Sequence, residues 1–237
     1  MIVLLERGGR EEGLAGRLAD GEEHHLRVRR ASHGERVQLR DGAGLVGTGR
    51  LVRQREGWQV EVETARRVGR PPPLTLAVGA GDRERFEWLV EKAAELGVTA
   101  VTPLETELAA AVATRVRPQH LDKLRRRALE AVKQCGAAWA PEIRAPEPLP
   151  AFLARPLEGE GWLADPEGGG ADVDAGEPLT VLVGPEGGLT ETERAAVRAA
   201  GYRPVRLGPN VLRFETAAVA AAALAVAARL SALGGRG

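Results

Sequence analysis

The sequence predicts an α/β protein in which a small β-rich domain at residues 1–70 precedes an α/β domain at residues 71–237. Short apolar runs separated by turn signals fill the first 70 residues without a convincing long helix. The segment Arg70-Pro-Pro-Pro73 then removes backbone donors and stiffens the chain, as a domain boundary does. Beyond it, strand-like runs alternate with helical patterns, which is typical of a mostly parallel sheet covered on both faces.

The first domain carries four strand-like runs and a positive charge. The runs lie at residues 2–5, 36–40, 45–52 and 58–62, with Asp-Gly and Glu-Gly turns between the later ones. Residues 1–70 hold 14 Arg against 11 Asp and Glu, a net charge of +3, although the whole chain is neutral. This asymmetry favours the first domain as the contact for a polyanion. The densest basic clusters of the chain are Arg27, Arg29 and Arg30 beside His24-His25, and Lys123, Arg125, Arg126 and Arg127 in the second domain. A solvated surface is the equally plausible alternative for each of the two.

Helix signals in the second domain follow its first two strands. A buried strand is predicted at 74–78, after which Asp82 caps a helix that ends at Gly97. After a strand at 98–103, Pro118 begins a helix whose apolar stripe reaches Cys135, which is therefore expected in the core.

The rest of the second domain repeats this alternation. Further strands are predicted at 162–164, 180–183 and 204–207, and residues 167–177 form an exposed loop. Thr190 and Glu193 form a capping box, and a long helix starts at Glu215. The Ala-rich segment 217–230 is not a membrane span, because alanine is weakly apolar and Arg229 interrupts it.

Composition excludes several classes of site. A single cysteine excludes an intramolecular disulfide, and a start without a basic-then-apolar leader favours the cytoplasm. His24, His25, His33 and His120 offer no metal-ligand spacing with that cysteine, so no metal is expected. There is no Gly-x-Ser-x-Gly elbow that would indicate a serine hydrolase.

Two turns in the last quarter of the chain indicate a ligand site. The first is Gly184-Pro-Glu-Gly-Gly188 after an apolar run, and the second lies in Leu207-Gly-Pro-Asn-Val-Leu-Arg-Phe-Glu-Thr-Ala217. The first turn is neither a GxxxxGK[ST] phosphate loop nor a GxGxxG fingerprint, which disfavours nucleotide triphosphate chemistry. Each turn opens into a helix, where exposed amides can bind an oxygen-rich ligand. Alternatively, the first is only a tight strand-to-helix turn and the second an ordinary cap with an Arg-Glu pair.

The order of several motifs resembles the RsmE family of 16S ribosomal RNA uracil-N3 methyltransferases in the SPOUT superfamily. The resemblance runs from about residue 20 to the C-terminus and rests on His24-His-Leu26, the Asp-Arg…Trp…Lys…Glu-Leu-Gly pattern of 82–97, Glu130-Ala-Val-Lys-Gln134 and the two turns. It implies a PUA-like barrel, then an α/β domain with a C-terminal trefoil knot, a homodimer and S-adenosylmethionine as the methyl donor. The substrate that it implies is one uridine near the 3′ end of the small-subunit RNA.

The resemblance also implies site residues. The cofactor site would comprise Leu182, Gly184, Pro185, Glu186, Gly187, Gly188, Leu207, Gly208, Leu212 and Thr216. Arg213 is the candidate catalytic residue, since a guanidinium can stabilise the oxygen charge that develops on uracil. Glu186 and Glu215 are candidate proton acceptors or structural carboxylates, so the base stays unassigned. The RNA-binding candidates are His25, Arg27, Arg29, Arg30, Lys123 and Arg126.

Two segments depart from the family pattern. Residues 105–109 read Glu-Thr-Glu-Leu-Ala and residues 133–137 read Lys-Gln-Cys-Gly-Ala, and both lack an arginine that the family leads us to expect. Two other hypotheses therefore stay open. One is a SPOUT enzyme acting on another RNA position, and the other is a non-catalytic RNA-binding or ribosome-assembly protein that retains the cofactor fold.

Overall fold

The computed structural model describes residues 1–6, 15–171 and 176–234. The chain forms two compact units, the first comprising Met1–Arg70 with Leu129–Ala140 and the second Pro71–Ala128 with Pro141–Gly237. The return of residues 129–140 to the first unit differs from the division read from the sequence. Residues 129–140 belong to the first unit because they contact segments far from them in the chain. The Gly44 amide donates to the Ala138 carbonyl and the Ala140 amide to the Gly42 carbonyl, each at 2.9 Å.

The first unit is built on one five-stranded sheet. Its elements are β1 (Ile2–Leu4), β2 (Ala15–Gly16), α1 (Glu22–Val28), β3 (Arg36–Arg40), β4 (Leu45–Gln54) and β5 (Gly57–Arg67). The strand order is β1-β3-β4-β5-β2, and only the β1-β3 pair of this sheet is parallel. The four predicted strand runs are thus confirmed. The sequence analysis did not predict α1, which is a short helix of 7 residues.

Alternating side chains form the core of the first unit. In β3, Val37 and Leu39 are buried while Arg36 and Gln38 are exposed, because successive side chains of a strand point to opposite faces. They pack with Leu26 of α1 in one apolar cluster. The edge strands are also joined, since the Glu6 amide donates to the Arg17 carbonyl at 3.0 Å and an antiparallel bridge links Leu5 to Leu18.

The second unit contains a seven-stranded sheet whose pairings are all parallel. Its strands are β6 (Leu74–Gly79), β7 (Ala100–Glu105), β8 (Glu142–Ile143), β9 (Glu147–Pro148), β10 (Glu160–Gly169), β11 (Leu179–Val183) and β12 (Arg203–Val205). They follow the order β12-β10-β11-β6-β7-β8, and β9 also pairs with β7. The helices are α2 (Arg83–Glu95), α3 (Leu121–Cys135), α4 (Leu149–Leu153), α5 (Glu191–Ala199) and α6 (Phe214–Gly234), with 3₁₀ turns at Ala109–Ala111 and Pro118–His120.

Helices cover both faces of this sheet, as the alternation predicts. All six residues of β6 are buried. Leu76 packs with Phe86 of α2, Leu124 of α3 and Ala218 of α6 in one cluster, and the next residue along β6, Ala77, belongs to a second cluster with α4 and α5. The sheet is therefore desolvated on each side, which is the condition under which parallel sheets are stable.

The terminal helix α6 belongs to the core of the second unit. Residues Phe214–Ala232 are long and apolar enough to cross a membrane by length and composition alone. However, Ala218, Ala221, Ala222 and Ala225 are completely buried in the same cluster as β6 and α2. The small side chains let this face of the helix pack closely against the sheet and α2.

Two sequence predictions are wrong in this region. Cys135 is exposed, because α3 ends at this residue and Gly136 leaves the helix with φ 78°. Residues 167–169 are not loop but the end of β10, where the Arg206 amide donates to the Gly169 carbonyl at 2.9 Å. Part of the predicted loop, residues 172–175, lies outside the described residues.

Candidate functional site

A cleft of about 570 Å³ lies where three neighbouring strands of the second unit end. Its walls come from residues 163–166 within β10 and from the residues that follow β11 and β12, and these three strands are adjacent and parallel. Carboxyl ends of parallel strands meet at one edge of a sheet, and ligands of open α/β sheets bind outside that edge. The two predicted turns, 184–188 and 207–213, both line this cleft.

The first turn needs glycine at two positions. Gly188 adopts φ 75°, in the left-handed region that other residues rarely occupy, and its amide donates to the Pro185 carbonyl at 2.8 Å. A Cβ on Gly184 would lie 3.0 Å from the carbonyl carbon of Gly188. The tight-turn interpretation is therefore correct. It does not compete with a ligand site, because the same residues line the cleft.

Glu186 connects this turn to the start of α2. One of its carboxylate oxygens, Oε1, accepts a hydrogen bond of 2.8 Å from the Asp82 amide. Asp82 is the N-cap of α2 and accepts hydrogen bonds from the Glu84 and Arg85 amides. A hydrogen bond from the Thr114 hydroxyl is the main cause that holds the pKa of Asp82 below its usual value. Glu186 therefore has a structural role, although it is exposed and also lines the cleft.

The second segment contributes some of its predicted residues to the cleft. Leu207, Gly208, Leu212 and Arg213 line it. Leu182 and Thr216 do not, since Leu182 is fully buried in the core and Thr216 is exposed on α6.

Glu215 is separated from the cleft as well. Its side chain is buried, with 7% of the residue exposed, and it is not among the lining residues. Within the described part of the chain, its Oε2 has no hydrogen-bond partner. Of the two candidate proton acceptors, only Glu186 therefore borders the space that a ligand could enter.

Sequence reasoning missed several residues that line the cleft. Leu163, Ala164 and Asp165 come from β10, and Arg85 comes from the first turn of α2. The strand-like run at 162–164 is a usable signal for the β10 residues, because a polar residue, Asp165, comes directly after it. Nothing local in the sequence marks Arg85, which reaches the cleft only because α2 begins beside the 184–188 turn.

The first unit groups basic residues on α1 and just after it. His25, Arg27, Arg29 and Arg30 are all exposed. Arg30 has φ 56°, the only positive φ at a residue other than glycine in the described part of the chain. The ring atom Nδ1 of His25 lies 3.3 Å from the ammonium of Lys133, within hydrogen-bond distance.

The basic residues of α3 are partly engaged with acidic side chains. Lys123 lies 2.7 Å from a carboxylate oxygen of Glu87, and Arg125 and Arg127 pair with Asp122 and Glu91. Arg126 is exposed between them. In the described ranges 1–6, 15–171 and 176–234, no group of three or more His, Cys, Asp or Glu side chains could hold a metal ion.

Comparison with known proteins connects this cleft to a protein family. Residues 69–226 match the model of a family described as an RNA methyltransferase domain. A ribosomal RNA small subunit methyltransferase E of Synechocystis is 31% identical over 214 residues, which cover 84% of this chain and 69% of the relative. The enzyme of the same name from Mycobacterium bovis is 32% identical over 224 residues, covering 86% and 83%.

Solved structures with a similar fold include proteins of the same name as the sequence relatives. A methyltransferase of Legionella pneumophila in complex with the cofactor SAM has a TM-score of 0.84 and 28% identity, covering 96% of this chain and 97% of its own. A ribosomal RNA small subunit methyltransferase E of Neisseria gonorrhoeae, bound to S-adenosyl methionine, has a TM-score of 0.82 and 27% identity, covering 94% of each chain. The fold, the matched domain and the relatives along most of the sequence together show that the chain belongs to the ribosomal RNA small subunit methyltransferase E family.

Proposed function

We propose that this protein methylates N3 of one uridine in the 16S RNA of the small ribosomal subunit, with S-adenosylmethionine as the methyl donor. One observation carries the proposal. The turns 184–188 and 207–213 form walls of a single cleft at the ends of adjacent parallel strands. Family membership then indicates the chemistry for which such a cleft is used.

The cleft suits the proposed cofactor. Its volume of about 570 Å³ is within the usual range for small-molecule sites. Apolar side chains of Leu163, Leu207 and Leu212 can contact adenine, and the backbone groups of residues 184–188 and 207–208 are available to its ring and to the ribose. Bound S-adenosylmethionine supplies a methyl group on an electrophilic sulfonium. Two similar structures hold this molecule, which supports the assignment.

Arg213 is the proposed catalytic residue. It is exposed and lines the cleft, and within the described part of the chain its guanidinium makes no hydrogen bond or ion pair. N3 of uracil must lose its proton, and the resulting charge spreads to the ring oxygens. A guanidinium stays charged and presents fixed donors to such oxygens. Alignment of the base in the cleft can contribute up to about 7–11 kcal/mol, and the residue that accepts the proton stays unassigned.

Each unit has a proposed role. The first is a PUA-like barrel that binds RNA, a role supported by its joined edge strands and by the basic residues His25, Arg27, Arg29 and Arg30. The second is a SPOUT domain with a C-terminal trefoil knot, to which Lys123 and Arg126 add RNA contacts. We further propose that the protein acts as a homodimer in the cytoplasm. Binding of RNA through these cations predicts an affinity that falls steeply with added salt.

The test is a nucleoside analysis of methylated subunits. Small subunits from cells lacking this protein are incubated with the purified protein and labelled S-adenosylmethionine, and their RNA is digested. We expect the label in 3-methyluridine. Label in another nucleoside would indicate a SPOUT enzyme that acts on a different RNA position. RNA binding without any label would indicate a non-catalytic RNA-binding protein.

A variant tests the role of Arg213. Arg213→Ala should abolish methylation and retain part of the cofactor affinity, because the cleft keeps its backbone walls. Arg155→Ala is a control, since Arg155 is an exposed cation of the same unit that pairs with Glu147 and does not line the cleft. Full activity of Arg213→Ala would contradict the assignment.

A further inference from the structure

The cleft has more positive charge than negative charge. Four arginines and two carboxylates line it, namely Arg85, Arg194, Arg206, Arg213, Asp165 and Glu186. Two of these charges are paired with residues that do not line the cleft, since Asp165 lies 3.2 Å from Arg198 and Arg194 lies 3.0 Å from Glu191. Within the described part of the chain, Arg85, Arg206 and Arg213 make no ion pair.

The methyl donor does not account for this excess. S-adenosylmethionine has one carboxylate, and its sulfonium and ammonium groups make it a net cation at neutral pH. Three arginines without an ion pair exceed what Glu186 and the single carboxylate of the donor can neutralise together, and the two cationic groups of the donor add further positive charge. RNA carries a phosphate at each nucleotide, so a strand entering the cleft would bring the anions that balance these side chains.

Among these three arginines, Arg85 lies where the local structure disfavours a positive charge. It is half-buried in the first turn of α2, where the helix dipole disfavours a cation. The nearby carboxylate of Asp82 accepts its hydrogen bonds from the Thr114 hydroxyl and the amides of Glu84 and Arg85, not from the guanidinium. Arg85 therefore lines the cleft with a charge that is only weakly offset by Asp82, since it makes no ion pair within the described part of the chain.

We propose that Arg85 binds a backbone phosphate of the substrate RNA next to the target nucleotide. This inference rests on the proposed function, because it assumes that RNA enters the cleft. A guanidinium offers parallel donors that match two oxygens of one phosphate, which would hold the strand in register while Arg213 contacts the base. The carboxylate of the methyl donor is the competing anion, and the experiment separates the two.

The experiment compares Arg85→Ala and Arg85→Lys with Arg83→Ala in the full-length protein. Arg83 is the first residue of the same helix, has the same charge and does not line the cleft. Calorimetry measures S-adenosylmethionine binding. Equilibrium binding of a 16S RNA fragment at several salt concentrations measures RNA affinity, and methyl transfer to subunits measures KM for RNA.

We expect Arg85→Ala to weaken RNA binding by about 10-fold to 100-fold and to reduce the salt slope by about 1, with S-adenosylmethionine affinity unchanged. Arg85→Lys should recover part of the RNA affinity, and Arg83→Ala should resemble the wild type. Weaker S-adenosylmethionine binding with normal RNA binding would overturn the proposal in favour of the carboxylate. Equal behaviour of Arg85→Ala and Arg83→Ala would overturn it as well. If instead the wild type transfers no methyl group, the proposed function fails, and the RNA-binding comparison still decides the role of Arg85.

Discussion

The ion pair between Lys133 and Glu22 allows a quantitative prediction for the first unit. The Lys133 ammonium lies 2.6 Å from Oε1 of Glu22, and the two side chains are 20% and 4% exposed. The other oxygen of Glu22 accepts a hydrogen bond of 3.3 Å from the Leu4 amide in β1. Glu22 is thus a buried carboxylate with one cationic partner and one backbone partner.

Lys133→Met should lower the free energy of unfolding by about 3 kcal/mol. Loss of one partner from a buried ion pair costs about 3–5 kcal/mol, because the remaining charge is buried without compensation. We expect the lower end of this range, because Lys133 is partly exposed and water can take the place of its ammonium beside Glu22. Adding Glu22→Gln should reduce the loss to about 1 kcal/mol, because a neutral amide oxygen still accepts from Leu4 and no charge is left buried.

Urea unfolding at neutral pH, followed by circular dichroism, measures both effects as shifts of the midpoint. Amide hydrogen exchange at Leu4 is the local readout, and it should accelerate in Lys133→Met. Lys92→Met is the control, because Lys92 pairs with Glu91 and Glu95 on the surface of α2 and should cost less than about 1 kcal/mol. Two results would contradict the prediction: Lys133→Met as stable as this control, or the double variant as unstable as Lys133→Met.

Three further predictions test the folded state. Burial raises the pKa of Tyr202, the single tyrosine, to about 12, so its ultraviolet titration should have a midpoint near that value. Because an unfolded tyrosine ionises near pH 10, stability should fall as the pH rises above about 10, and a folded-state midpoint near 10 would contradict the burial. Arg30→Gly should raise the free energy of unfolding by up to about 1 kcal/mol, because glycine adopts the positive φ of this position without strain. The same variant should bind RNA more weakly in a filter-binding assay, and unchanged affinity would exclude Arg30 as an RNA contact. Thr190→Ala should cost about 1 kcal/mol in urea unfolding, since the Glu193 amide loses its capping oxygen at 3.3 Å, whereas Thr190→Ser should retain most of the stability.

Local features of the chain were predictable because each depends on a few neighbouring residues. The caps at Asp82 and Thr190 bond to amides two or three positions away, so residue type and spacing suffice to identify them. The 184–188 turn is of the same kind, since Gly188 requires a positive φ whatever the rest of the protein does. The alternation of strands and helices likewise predicted a parallel sheet covered on both faces.

Other features depend on residues that are distant in the chain. Cys135 continues an apolar stripe in sequence but is exposed, because burial at the end of a helix depends on what packs against it. Arg85 carries no local signal, and its place in the cleft follows from contacts such as that between Asp82 and Glu186, which are 104 residues apart.

The α/β class was predictable from the sequence alone, as were the positions of most elements and, through the order of the motifs, the family. The folded chain was needed to show which motif residues share a cleft: Leu182, Glu215 and Thr216 do not line it, whereas Arg85 and Asp165 do. It also decided that residues 129–140 belong to the first unit. The physical reason is the range of the interactions: caps and turns are satisfied within a few residues, whereas a cleft forms where strand ends from separate parts of the chain meet.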